Sequence, residues 1–559
     1  MTPFESLLAR GYLPVQLPPG FSSVSFANAA AVIAEKWPKK GPITSSERYS
    51  VARSSFYRRQ TSILNPAGFY YLAKEVGEYW PQIESHYKKS KLSKSVPTLD
   101  GSLRAINLRK FSELHEEKIL HASGFRFALV TDITGFFPTI YTHTIPWALH
   151  TKAVAKVEQG AVPKYFGNIL DRQCMAVQDR QTVGLPIGPD TSHIIAEIVA
   201  VAIDERIKEE LGRWPNGFRY VDDYFLFFNE REDAERALAA ITRAVVGFEL
   251  QLNAAKTRIV EVRELVDESW KYRLKRLKLR PQRREQRTDI HHFFESLFAL
   301  ERRFRDESLV KYGLKRLSST IVKKSNWPVF EAYLLKCGYG FPNTIQVIAH
   351  ILATYRKYEY PLGLKAISRF CNNCLAASAA ADHHGEVSWL LWICKELEIP
   401  VLSAAGKEVA RMGSPVCTLI LLDLQNEGLA KKAIEIDTLK SFAAPNALMG
   451  SDWMLAYEAG RREWLGVDND DFISAHEYFG PLNDASVALY NEENRLPPIF
   501  TLTAPPWQPV DFDADWPIDD SFEFDEMDEE YFDSGSEGDG DSDDEGEDAD
   551  VEEDGNSDF

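Results

Sequence analysis

The chain has 559 residues, of which 64 are Lys or Arg, 83 are Asp or Glu and 44% are hydrophobic, enough apolar material for several cores and three or four domains. The charge is uneven: the net value is −19, but residues 511–559 hold 25 acidic residues and no Lys or Arg, which leaves about +6 on residues 1–510. Six cysteines over this length and no charged-then-apolar leader at residues 1–20 predict a reducing, cytoplasmic setting rather than secretion with a disulfide framework. No apolar run approaches the roughly 18 residues of a membrane span, since Glu197 interrupts the run at 194–203, so no membrane partner is expected.

Residues 1–115 mix apolar patches with basic ones: Arg48, Arg53, Arg58 and Arg59, then Lys88, Lys89, Lys91 and Lys94, then Arg104, Arg109 and Lys110. Residues 125–133 form a β-rich apolar run with Asp132 near its end. Helical spacing follows at 194–211 through Ile194, Ile198, Ala202, Ile203 and Ile207. Residues 219–228 are apolar and aromatic on both sides of Asp222 and Asp223, which predicts a hairpin with two carboxylates at its turn. A helix at 232–246 and a last strand at 256–262 complete an α+β sheet covered by helices on one face.

Beyond it, nine of the seventeen residues at 271–287 are Lys or Arg, a density suited to tracking phosphates or to a solvated helix face. Segments at 327–335, 343–355, 387–397 and 414–424 are predicted as packed helices, the last opening on a Ser-Pro start signal. No clean period confirms repeats. The acidic tail cannot bury enough apolar surface to fold alone. Cys371 and Cys374 form a CxxC near His383 and His384, but with no second CxxC this reads as helix packing.

Three stretches carry the chemistry: residues 130–141 (VTDITGFFPTIY), 184–192 (GLPIGPDTS) and 220–223 (YVDD). Asp-Asp pairs also start at Asp470, Asp519 and Asp543, so a lone pair carries little; the order, hydrophobic setting and separation are what is specific. Carboxylates at the ends of buried strands need a cation. Mg²⁺ takes oxygen ligands and completes its shell with water and phosphates. Two such ions would be bridged by Asp132 and Asp222 and completed by Asp223, a set matched to nucleotidyl transfer from a nucleoside triphosphate to a hydroxyl. Gly184 and Gly188 allow a tight loop whose backbone approaches a nucleotide, and Ser192 is placed to cap the next helix.

These stretches resemble motifs A, B and C of a reverse transcriptase palm, and residues 250–260 (LQLNAAKTRIV) resemble motif D. The resemblance covers about 140 residues. It implies Asp132, Asp222 and Asp223 as catalytic metal ligands, Lys256 near the triphosphate, and Phe137 as the ring that rejects a ribose 2′-hydroxyl. Gly188, Ser192, Arg104 and Arg109 are further candidates for nucleotide contact. The implied fold is a reverse-transcriptase fingers and palm core followed by an all-α, helical-repeat-like C-terminal domain and a disordered acidic tail. The expected divisions are a fingers-like region at 1–115, the palm at 116–262, a basic connector at 263–290, the helical domain at 291–510 and the tail at 511–559.

Where template-copying relatives commonly carry LPQG, this chain has Ile187 in LPIG, which removes an amide and puts ordinary templated copying in question. With GLPIGPDTSHIIAE and YVDDYFLFF, the layout is similar to the abortive-infection and defence-associated bacterial reverse transcriptases of the unknown-group lineages. That resemblance implies deoxynucleotides as substrates, a DNA product, a noncoding RNA as a candidate partner, a homo-oligomer, and template-independent, protein-primed synthesis as an extension. A retron- or intron-type enzyme copying a specific RNA, and a non-catalytic nucleic-acid sensor, stay open beside it. The tail, which includes Tyr531, is either a passive solvated segment or a mimic of nucleic acid over a basic groove.

Overall fold

The computed structural model describes residues 1–99, 101, 104–108, 114–265, 270–277, 279–280, 284–318, 320–431, 433–467 and 471–500, with backbone alone at 271–272. Arg109, Lys110, Lys278, Arg283 and the whole acidic tail lie outside the described residues.

The N-terminal region begins with a helix over Pro3–Arg10, closed by a capping box in which Thr2 and Glu5 satisfy each other's backbone N–H. An antiparallel hairpin follows, β1 (Glu47–Ala52) and β2 (Arg58–Ile63), in register Tyr49 to Thr61. Asn65 then caps the helix Pro66–Glu78, with Pro66 in its first turn, where a missing N–H costs nothing.

The second sheet has four antiparallel strands in the order β4–β5–β3–β6: β3 is Phe127–Thr131, β4 Asn216–Tyr220, β5 Asp223–Phe228 and β6 Arg258–Glu261. The helices predicted at 194–211 and 232–246 occupy Asp190–Leu211 and Arg231–Gly247 and pack on each other. The sheet is not covered on one face only. Arg219 and Tyr224 are cross-strand partners and both reach the helix Asp190–Leu211. Phe218 and Phe225, next in the alternation, therefore point the other way. There the helix Leu114–Ala122 meets them, with His121 5.3 Å from the Phe218 ring and the Lys118 ammonium 4.4 Å over Phe225. Composition gave no sign of this helix, because only Leu114 and Ala122 are buried along it.

The C-terminal region is helical where helices are expected, at Trp327–Gly340, Ile345–Lys357, His384–Glu396 and Pro415–Asn426. The Ser-Pro signal is real: the Ser414 hydroxyl accepts from the Cys417 N–H. The helix Leu364–Ala380 packs on His384–Glu396 and Ser403–Arg411, and His384–Glu396 packs in turn on Ile345–Lys357 and Pro415–Asn426.

These helices close back on the N-terminal hairpin. Glu386, almost fully buried, accepts from the two terminal nitrogens of Arg58, Nη1 and Nη2, at 2.6 and 2.7 Å. Tyr49 shares a 2.6 Å hydrogen bond with Ser388, Trp389 donates to the Gln16 carbonyl at 2.7 Å, and Trp37 donates to the Tyr478 carbonyl at 2.9 Å. Glu47 of β1 is buried against the start of the helix Pro415–Asn426 and accepts from the Val416 N–H at 3.1 Å.

Burial pushes the Glu47 carboxyl up to about 8, and the Val416 N–H only partly opposes it. The folded protein therefore keeps a proton that the unfolded chain releases above its ordinary value of about 4.5. The associated stability is full below that value and is lost as pH rises toward 8. Glu47→Gln should remove this loss: its stability relative to the native chain, read by urea unfolding, is expected to improve by on the order of 2 kcal/mol between pH 5 and pH 8.

Candidate functional site

The hairpin of β4 and β5 turns in two residues, since Tyr220 and Asp223 are the last paired positions and Val221 and Asp222 form the loop. Val221 adopts φ +51°, a left-handed conformation costly for a β-branched residue, by about 1–3 kcal/mol. Two groups hold it there: the Arg219 Nη1 donates to the Val221 carbonyl at 2.7 Å, and the Ser95 hydroxyl accepts from the Val221 N–H at 2.7 Å.

Arg219 is fully buried. It also donates to Glu197 at 2.9 and 3.0 Å and to Asp204 at 2.9–3.1 Å, both on the helix Asp190–Leu211. Tyr224 donates to Asp204 at 2.9 Å, Ser90 to Asp204 at 2.7 Å and Ser93 to Glu197 at 2.6 Å. The segment 92–94 is stitched to β4 by two backbone bonds of 2.8 Å with Arg219. Burial raises Asp204, with a smaller push from the Glu197 carboxylate, and the Arg219 guanidinium opposes that rise.

The three predicted carboxylates lie at one end of the sheet. Asp132 directly follows Thr131, whose partner on β5 is Tyr224, the residue after Asp223. Asp132 and Asp222 are buried at 6% and 7% exposure, and Asp223 is half-buried. The Asn253 N–H donates to the Asp132 carbonyl at 2.9 Å, and Lys256 Nζ donates to Asp132 Oδ2 at 3.2 Å. Lys256 thus stands on a carboxylate. Among the described residues no cluster of three or more His, Cys, Asp or Glu groups converges as a ready metal cage. The donors are still of the right kind: three acidic oxygen groups on adjoining strand ends, one of which already attracts a cation.

A cleft opens beside Asp222, lined by Phe137, Arg59, Thr61, Arg104, Ile187, Gly188, His193, Val15 and Gln16. Phe136 is core and Phe137 is half-buried with its ring edge on His193, centroids 4.7 Å apart. Gly188 has φ +133°, and a Cβ there would come within 2.9 Å of Pro14 and 3.0 Å of the Ser62 carbonyl, so glycine is required on both counts. The neighbouring Ile187 carbonyl accepts from the Ser62 N–H at 2.7 Å, joining this loop to β2.

Two candidates behave differently from the sequence expectation. Ser192 is not a cap. The helix starts at Asp190 behind Pro189, and the buried Ser192 hydroxyl donates instead to the Pro186 carbonyl at 2.6 Å, tying the loop to itself away from the cleft lining. Arg104 lines the cleft but spends its donors on structure: Asp190, which it pairs with through Nε at 2.9 Å and Nη2, the Leu13 carbonyl at 2.6 Å and the Gly188 carbonyl at 3.0 Å. Phe137, Gly188, Arg104 and Asp222 share the cleft; Lys256 sits at Asp132.

Sequence reasoning did not single out Arg59, His193 or Arg219. Arg58 and Arg59 are indistinguishable in a basic run, but strand alternation sends Arg58 to Glu386 and Arg59 to the cleft. Burial, reinforced by Arg104 and Arg59, pushes the His193 imidazole down to about 3, so it is neutral at physiological pH.

Replacing Arg219 by Leu strands Glu197 and Asp204 in the interior and should cost about 3–5 kcal/mol in urea unfolding, whereas Ser95→Ala, which removes the bond from the Val221 N–H and a long one to Glu197, should cost about 1 kcal/mol. Losses of equal size would contradict the dominance of the buried guanidinium.

The family of reverse transcriptases (RNA-dependent DNA polymerases) matches residues 83–285, a span that contains all three carboxylates and the glycine loop. No curated protein matches the chain. Among solved structures, telomerase from Candida albicans in complex with a TWJ fragment of telomeric RNA is similar over 66% of this chain and 66% of that chain, just under two thirds of its length, with 12% identity and a TM-score of 0.27. The chain carries a reverse transcriptase domain, a nucleotidyltransferase module, over residues 83–285.

Proposed function

We propose that the protein adds deoxynucleotides to a hydroxyl primer at the cleft beside Asp222, with Asp132, Asp222 and Asp223 holding two Mg²⁺ ions. The observation that carries this reading is the strained turn that presents Asp222 to a cleft lined by an aromatic ring and an arginine, with Asp132 at the neighbouring strand end. When bound, the two ions would activate the attacking hydroxyl and stabilise the leaving phosphate oxygen.

The chain's own groups divide the remaining work. Arg59 meets the triphosphate, and Lys256 exchanges Asp132 for phosphate oxygens once substrate arrives. Phe137, braced by the neutral His193, stands against the sugar and rejects a 2′-hydroxyl. Arg104 and Ser192 act one step back by fixing the loop around Gly188. The resemblance of the motifs to defence-associated lineages supports a role against phage, with a homo-oligomer and a noncoding RNA as associated features. Ile187, which offers no amide, supports synthesis without a template.

Full-length protein given each deoxynucleotide and Mg²⁺, with and without RNA template, should make DNA; an Asp222→Ala, Asp223→Ala double variant should lose about a thousandfold or more of that activity. Product without added nucleic acid that shrinks on proteolysis supports protein priming, and product complementary to a supplied RNA supports the mobile-element reading. Equal activity in the double variant would overturn the assignment. Phe137→Ala should lower discrimination against ribonucleotides by about tenfold or more, read as the ratio of kcat/KM values.

A further inference from the structure

We propose that Gln16 is the specificity-determining residue of this cleft, its side-chain amide reading the hydrogen-bonding edge of a nucleobase. The proposal rests on the polymerase reading above and adds to it a residue from far outside the matched domain.

Gln16 is 8% exposed and lines the cleft with Asp222, Phe137 and Ile187. Its backbone is fixed: the carbonyl accepts from Trp389 at 2.7 Å, the nearby Leu13 carbonyl accepts from Arg104 at 2.6 Å, and Pro14 packs on Gly188. Within the described residues no hydrogen bond engages its side-chain amide, and neither polar atom of that amide is among the fully buried unpartnered groups, so the amide keeps contact with solvent. An amide uncommitted to the protein can exchange its hydration for the edge of a base without breaking a structural bond.

Its neighbours narrow the ligand. Thr61 is committed, its hydroxyl donating to the Tyr49 carbonyl at 2.6 Å, and Arg104 is committed to Asp190 and two carbonyls. Val15 and Ile187 supply apolar wall and Phe137 a ring, surfaces suited to the faces of a base. A phosphate would be met by Arg59 rather than by a neutral amide. The amide offers one acceptor and two donors in a plane, the pattern that pairs with base edges. The base is that of the incoming nucleotide or of a paired template; the recognition chemistry is the same.

The test uses the full-length native chain, Gln16→Ala and Gln16→Glu. Binding of each of the four deoxynucleoside triphosphates in Mg²⁺ is measured by calorimetry, with and without an oligonucleotide template, beside single-nucleotide incorporation. Unequal affinities in the native chain are expected to level by about tenfold in Gln16→Ala. In Gln16→Glu they should shift toward bases that present donors, because a carboxylate only accepts. Sugar discrimination and melting temperature should stay unchanged. A change seen without template assigns the contact to the incoming nucleotide, and one seen only with template assigns it to the template base. Identical relative affinities in all three proteins, or a uniform loss for all four nucleotides, would overturn the proposal. Base-dependent binding that Gln16→Ala abolishes, in a native chain that incorporates nothing, would uphold Gln16 and sink the polymerase reading instead.

Discussion

One buried guanidinium underlies the geometry of the site. Arg219 has no solvent contact, so each of its donors must find a protein acceptor. It finds Glu197 and Asp204 on one helix and the Val221 carbonyl on its own hairpin. The arrangement couples two penalties. Burying a carboxylate pair is costly without a cation, and bending a valine into the left-handed region is costly without an external hold. A single residue offsets both, and the result is a turn that cannot relax without exposing charges to a dry interior. Asp222, the next residue, inherits that rigidity, which is the requirement for catalysis by positioning.

A second clamp works on the glycine loop in the same way. Asp190 is fully buried at the start of its helix, and Arg104 with the N–H groups of Ala105 and Ile106 satisfies it. Burial pushes the Asp190 carboxyl up while Arg104 and these N–H groups hold it down. Arg104 also reaches Leu13 and Gly188, so the N-terminal segment and the loop are set by the same guanidinium. Each of the two arginines therefore neutralises buried acid and fixes one wall of the cleft, and neither has donors to spare for carrying substrate charge as its main role. Arg59, which lines the cleft, and Lys256, which sits on Asp132, are outside both clamps.

The sequence makes the palm legible because its signals are local. The β-rich apolar run at 125–133, helical spacing at 194–211 and an Asp-Asp pair between aromatic runs each depend on a few neighbouring residues, and strands and helices appear there to within a few positions. What was illegible depends on contacts far apart in the chain. Ser192 has a residue type that caps helices, yet the helix already begins at Asp190 behind Pro189 and leaves the hydroxyl to the loop. Arg58 and Arg59 differ only in the face of β2 they occupy. Arg219 looks like an ordinary strand arginine until its partners 15 and 22 residues away are brought against it.

The helical C-terminal region is part of the site's support and not an appendage to it. Glu386 takes both terminal nitrogens of Arg58, and a strand whose one side is anchored must present the adjacent residue to the opposite side. Arg59 faces the cleft for that reason. Three residues after Glu386, Trp389 holds the Gln16 carbonyl, and Ser388 between them holds Tyr49 on β1. One helical turn in residues 386–389 thus fixes the hairpin and the N-terminal segment that together wall the cleft opposite the carboxylates. A displacement of that helix would move Arg59 and Gln16 together while leaving the Arg219 network, built from segments 90–95, 197–204 and 219–224, in place. The carboxylate turn and the wall that carries Arg59 and Gln16 are therefore held by separate networks.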